Sequence, residues 1–154
     1  MTKYLLDTNV ILRFINPKDV QHNLATDAIS YLLTKENECF LTSQVLIELW
    51  VVATRPVEVN GLGWNIDQTR TIVEQLLIRF PLLEESPDIF PNWLDLVTVN
   101  RVMGKRTHDM RLVAAMLVHE VTHILTFNPS DFAGTPGITI VPPQELVIPN
   151  IDPP

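Results

Sequence analysis

Four acidic residues, far apart in the chain, stand where a carboxylate is either costly or well placed for chemistry: Asp7, Glu48, Asp109 and Asp131. Asp7 follows the short apolar run Tyr4-Leu5-Leu6, which predicts a buried strand, and precedes a helical pattern from Val10 to Ile15. In an open parallel sheet, ligands bind beyond the carboxyl ends of the strands, where Asp7 would sit. A plain alternative is that Asp7 or Asn9 only caps that helix through an Asx turn. Glu48 is the one charge in Gln44 to Ala53, a helical stretch apolar nearly all round. Such a helix is expected to be buried, and a lone buried carboxylate is costly unless paired or metal-bound. The alternative is an arginine partner, or escape to solvent at the helix edge.

Asp109 falls in the first turn of a helix expected from an N-cap at Thr107 to about Val121, where the helix dipole favours an acid whatever its role. Asp131 lies just past the strand pattern His123 to Phe127, in an Asn-Pro-Ser-Asp sequence that is also ordinary turn chemistry. Clustered carboxylates repel one another unless a cation offsets their charge, and Mg²⁺ or Mn²⁺ suits oxygen donors. Such an ion can acidify a bound water and stabilise charge on a phosphoryl oxygen. Residues 101–111 add Arg101, Lys105, Arg106 and Arg111, which is 4 of the 11 basic residues of an acidic chain. They suit a phosphodiester beside the acids, or equally a solvated loop at a helix terminus.

A competing pattern is His119-Glu120-Val121-Thr122-His123, a literal H-E-x-x-H. On a helix it would bind zinc, with Glu120 as general base and Glu145 available as a third ligand. Against it, His123 runs directly into the β-favouring Ile124-Leu125-Thr126-Phe127, and only residues 124–154 remain to build a protease cleft.

The elements that must position these residues alternate. Strands are expected at Tyr4–Leu6, Cys39–Leu41, 82–85, 123–127 and Ile138–Val141. Helices are expected from Val20 to Thr34, Gln44 to Thr54, Asp67 to Arg79 and Asp88 to Val102, with Gly104 in the stop position. That order predicts an α/β fold: a three-layer α/β/α sandwich around a central, mainly parallel sheet. A chain of 154 residues suffices for one domain, here 1–141, with a proline-rich tail over 142–154 expected to be irregular. A net charge of −7 excludes a broad phosphate-binding surface. The single Cys39 excludes a disulfide framework or a Cys-based zinc cluster. No apolar run approaches the roughly 18 residues of a membrane span, and Lys3 is followed by too little apolar sequence for a signal peptide. A cytoplasmic protein is expected.

Four stretches carry a family resemblance: Tyr4-Leu5-Leu6-Asp7-Thr8-Asn9, Ser43 to Glu48, His108-Asp109-Met110-Arg111-Leu112-Val113-Ala114, and Ile124 to Phe132. In this order they resemble a PIN domain, most of all the VapC-type toxins of prokaryotic toxin–antitoxin pairs. The resemblance implies a Mg²⁺- or Mn²⁺-dependent ribonuclease whose acid positions are Asp7, Glu48, Asp109 and Asp131, with Asn128 sharing the fourth role. Hydrolysis would leave 5′-phosphate and 3′-hydroxyl ends. Thr8, Asn9 and Ser43 match supporting polar positions, while Arg106, Arg111 and His108 are candidate substrate contacts. The implied partners are RNA, a second copy of the chain and a small antitoxin. Arg55 to Asn65 and the tail depart from the shorter toxins, which bears on partner geometry more than on chemistry. A non-catalytic binding module on the same fold is the alternative of a different class.

Overall fold

The computed structural model describes residues 1–147. Five strands form one sheet: β1 (Lys3–Leu6), β2 (Glu38–Thr42), β3 (Leu82–Leu83), β4 (His123–Leu125) and β5 (Thr139–Val141). Their order is β3-β2-β1-β4-β5, and every pairing is parallel. The helices are α1 (Thr8–Phe14), α2 (His22–Thr34), α3 (Ser43–Thr54), α4 (Ile66–Arg79), α5 (Ile89–Val99), α6 (Arg106–Val118) and α7 (Pro143–Leu146).

From β1 the chain moves outward through β2 to β3. It then returns across the sheet to β4 and β5 on the other side of β1. Right-handed crossovers in opposite directions place their helices on opposite faces. Helices α1 to α4 therefore share one layer and α5 with α6 the other, giving the expected three layers with a sheet that is wholly parallel. The strands are short and apolar because both faces are covered. Leu5, Leu6, Ile124 and Leu125 have no exposed surface, and Phe80 and Phe132 are the largest side chains buried beside them. Among the described residues no helix is long and apolar enough to cross a membrane.

Several boundaries differ from expectation, each for a local reason. Helix α1 starts at Thr8 rather than Val10, because Asp7 is its N-cap and accepts the Thr8 N–H. Helix α5 ends at Val99 rather than Val102, and Arg101 then takes a left-handed φ of 55°. Thr107 lies inside α6, with its hydroxyl donating to the Gly104 carbonyl, and Lys105 is the cap position. Helix α6 stops at Val118, since Glu120 turns left-handed at φ 57° and Val121 buries itself in the core. Helix α3 is not buried all round, for Ile47 and Val51 are 64% and 53% exposed. The expected irregular tail is helical over Pro143–Leu146, where α7 packs on α2. The remainder of the tail lies outside the described residues.

The segment after α3 is compact. A 3₁₀ turn at Val57–Val59 leads to Gly61, where a Cβ would stand 1.8 Å from the Arg55 carbonyl oxygen, so only glycine fits. Trp64 N–H then returns to the Ala53 carbonyl at 2.8 Å, tying the loop to the end of α3.

Candidate active site at the carboxyl ends of the strands

The chain reverses its direction across the sheet between β1 and β4, and a switch point of this kind leaves a gap beyond the carboxyl ends of those two strands, where ligands bind in open α/β sheets. Asp7 leaves the end of β1 into this gap. Its Oδ1 accepts the Thr8 N–H at 2.8 Å, and its Oδ2 accepts the Thr126 hydroxyl at 2.8 Å and Asn9 Nδ2 at 3.3 Å. Asp7 is only 7% exposed. Asn9 spans the gap, its Nδ2 also reaching Thr126 Oγ1 at 3.3 Å and its Oδ1 accepting the Phe127 N–H at 3.0 Å. The carboxylate is therefore both helix cap and site residue. The two readings of Asp7 open from sequence are compatible, because one carboxylate has lone pairs enough for both.

Glu48 arrives from the third segment. Thr42 caps α3 by accepting the Val45 N–H at 3.2 Å, which sets the helix so that Glu48 points back toward β1. It is half-buried, and no arginine holds it. Glu48 Oε2 accepts the Thr8 hydroxyl at 2.6 Å and Oε1 accepts Gln44 Nε2 at 3.0 Å. Ser43 is the first residue of α3, beside that cap. Asp109 stands in the first turn of α6, half-buried, and Asp131 in the 3₁₀ turn Pro129–Phe132 that follows β4.

Asp7 and Asp109 both feel the neighbouring acids. Burial first, then the charges of Glu48 and Asp131, push Asp7 up to about 6 against the lowering hydrogen bonds from Thr126 and Thr8. Burial, then Asp131, Asp7 and Glu48, push Asp109 up to about 6, with Arg106 opposing. Four segments separated by up to 124 positions thus bring like charges to one cleft. In kind this all-oxygen, mutually repelling donor set fits a hard divalent cation. In spacing, no three His, Cys, Asp or Glu among the described residues stand as a ready-made metal cluster.

Other candidate residues are placed less simply. Arg106 turns its guanidinium to the carbonyls of Asp131 (3.3 Å) and Ala133 (3.0 Å), so it holds the 129–132 turn. Arg111 pairs with Glu85 at 2.8 Å and reaches Gln44 Oε1 at 3.4 Å. With His108, Gln44, Ile47 and Glu48 they line an open groove of about 490 Å³ leading from the acids. Arg101 and Lys105 stay in the exposed loop before α6. Asn128 is exposed and contributes its backbone N–H to Thr126 Oγ1 at 3.0 Å. The H-E-x-x-H pattern is broken, because α6 ends before it. His119 Nε2 meets the Glu84 carbonyl at 2.6 Å, while the His123 ring packs at a tilt against Tyr4 with centroids 4.9 Å apart, so the zinc-protease alternative has no structural basis.

Three residues escaped the sequence reading: Thr126, Gln44 and Glu85. Thr126 is a polar residue with no exposed surface in an otherwise apolar strand run, and Gln44 stands one helical turn before Glu48. Those are the signals that could have found them; Glu85 left none. Because the Thr126 hydroxyl serves Asp7, Asn9 and Asn128 together, Thr126→Val is expected to lower stability by about 1–3 kcal/mol at pH 8, where Asp7 is ionised. At pH 5 the loss shrinks, and urea unfolding at the two pH values measures the difference.

A family model described as the PIN domain matches residues 4–137. The chain belongs to the PIN domain family. Solved structures similar to this PIN domain include VapBC2 from Rickettsia felis bound to a DNA fragment from its promoter. That match has a TM-score of 0.69 at 19% identity, covering 92% of this chain and 98% of that one. VapBC-1 from nontypeable Haemophilus influenzae matches with a TM-score of 0.67 at 18% identity, covering 93% and 99%. VapC20 from Mycobacterium tuberculosis, a sarcin-ricin loop cleaving toxin, matches at 0.53 and 17% identity over 79% and 86%. At these identities the likeness shows the fold. No curated protein sequence matches this PIN domain.

Proposed function

We propose that this PIN domain is a Mg²⁺- or Mn²⁺-dependent endoribonuclease that hydrolyses RNA phosphodiesters, acting as the toxin of a toxin–antitoxin pair. The observation that carries the reading is the convergence of Asp7, Glu48, Asp109 and Asp131, with Asp7 and Asp109 pushed up to about 6 by burial and by the other acids. Nothing in the packing requires four like charges at one cleft. A site that takes up a cation beside a phosphodiester does. The VapBC complexes among the fold neighbours support a small antitoxin as partner, and a second copy of the chain is proposed with it.

Asp7 and Asp109 would hold the ion, with Glu48 and Asp131 completing the set directly or through water, and when bound it supplies an acidified water and charge stabilisation at a phosphoryl oxygen. The chain does the rest. Thr126, Asn9 and the Thr8 N–H keep Asp7 in one orientation, and Thr8 and Gln44 do the same for Glu48. Arg111 and His108 stand on the wall of the groove, and Arg111 would meet phosphate there only by exchanging its pairing with Glu85 for it. Arg106 keeps Asp131 near the cluster by gripping the carbonyls of its turn.

A non-catalytic binding module is the second reading, favoured by the absence of a closed three-ligand cluster among the described residues. Incubating purified protein with total RNA in Mg²⁺, Mn²⁺ or EDTA separates the two. Discrete cuts with 5′-phosphate ends, present with either metal and absent in EDTA, are the expected result. Intact RNA under all three conditions, with a folded protein, would overturn the nuclease in favour of the binding module.

A further inference from the structure

Glu48 and Asp109 lie on helices that barely meet. Helix α3 packs on α1, α4 and β2, whereas α6 packs on α5 and on the 129–132 turn. The tie between them is Gln44. Its Nε2 donates to Glu48 Oε1 at 3.0 Å and to the His108 carbonyl at 2.8 Å, one residue before Asp109. An amide nitrogen has two hydrogens, and both are used. Its Oε1 accepts from Arg111 Nη1 at 3.4 Å, also on α6, and Arg111 is braced in turn by Glu85 at 2.8 Å. The amide can face only one way here. Reversed, its oxygen would meet a carboxylate and a carbonyl, and its nitrogen would meet a guanidinium.

We propose that Gln44 is a positioning residue that clamps α3 to α6 and so sets the separation of the Glu48 and Asp109 carboxylates. Burial of neither helix would do this, since the seam between them opens into the groove that Gln44 itself lines. The clamp acts at a distance from any reacting atom. It turns two carboxylates on loosely coupled elements into one donor pair, as outer partners of metal ligands commonly do.

The test uses Gln44→Met, which keeps length and loses every hydrogen bond. A pair of spin labels at Val51→Cys and Lys105→Cys, both exposed positions, reads the α3–α6 distance without any metal; the native Cys39 is buried and escapes labelling. The Gln44→Met chain is expected to broaden the distance distribution while leaving the melting temperature near that of the parent. Direct Mn²⁺ binding to the RNA-free protein, followed by loss of the free-ion resonance, is expected to weaken about tenfold. The metal arm rests on the proposed nuclease reading, and the distance arm does not. A broadened distribution in a protein whose parent takes up no Mn²⁺ would support the clamp while sinking the metal reading. An unchanged distribution overturns the clamp, whatever happens to Mn²⁺; with weakened Mn²⁺ binding it would confine Gln44 to orienting Glu48 on its own helix.

Discussion

Asp7→Asn, and separately Asp109→Asn, is expected to lower the proposed metal-dependent RNA cleavage about a thousandfold or more while leaving a folded protein, an effect corresponding to roughly 4 kcal/mol of barrier. The two acids come from opposite layers, one capping α1 and the other on the first turn of α6. Each is pushed up to about 6 by burial and by the remaining acids. The proposed cation would offset that repulsion, so removing either charge would remove much of the reason for it to stay. Asparagine preserves shape and the cap, since its Oδ1 still accepts the Thr8 N–H. Kinetics on a single labelled RNA, with circular dichroism on both variants, provide the measurement. Cleavage within tenfold of the parent in either folded variant would remove that residue from the site.

The second large effect is on stability against pH. A carboxyl whose folded pKa lies above its unfolded value binds more protons folded than unfolded between those two values. Stability contributed this way is present at low pH and lost as pH rises through the folded pKa. For Asp7 the window runs from 3.8 to about 6, on the order of 3 kcal/mol for a group so fully buried. Asp109 acts in the same direction and window, with a smaller contribution because it is more open to solvent. The metal-free protein is therefore expected to be less stable at pH 7.5 than its other groups alone would make it. The comparison with Asp7→Asn isolates the effect of that carboxyl: relative to the parent, the variant gains stability by up to about 3 kcal/mol as pH rises from 4 to 7.5. Urea unfolding in EDTA across that range measures it. A parent-minus-variant difference that stays flat would show that Asp7 is not held in a desolvated, repelling environment.

Much of the molecule could be read from residue order. Short apolar runs alternating with helical patterns require a parallel sheet covered on both faces, because neither the runs nor the helix stripes can stay in water. The acids at the ends of β1 and β4 follow from the same pattern, since a strand must stop where a polar turn begins. Asp7, Glu48, Asp109 and Asp131 were visible as acids beside apolar sequence, and the resemblance of their four stretches to a PIN domain agrees with the family to which the chain belongs. The limits of periodicity show at α3. Its sequence is apolar on every side, yet Ile47 and Val51 are exposed, because no neighbouring layer covers that edge.

Tertiary structure alone decided the rest. Which basic residues face the groove depends on what else competes for them: Arg106 is taken by the carbonyls of Asp131 and Ala133, and Arg111 by Glu85. His119 and His123 match a metal motif in spacing, but the left-handed turn at Glu120 ends the helix that the motif needs. Thr126 and Asp7 are 119 positions apart and share a 2.8 Å hydrogen bond only because β4 lies beside β1. Gln44 meets the His108 carbonyl only because α6 returns across the sheet to the switch point. Local sequence sets the propensity of each element, whose hydrogen bonds close within a few residues. The partners of a buried polar group are set by the packing of elements far apart in the chain, and no local pattern encodes them.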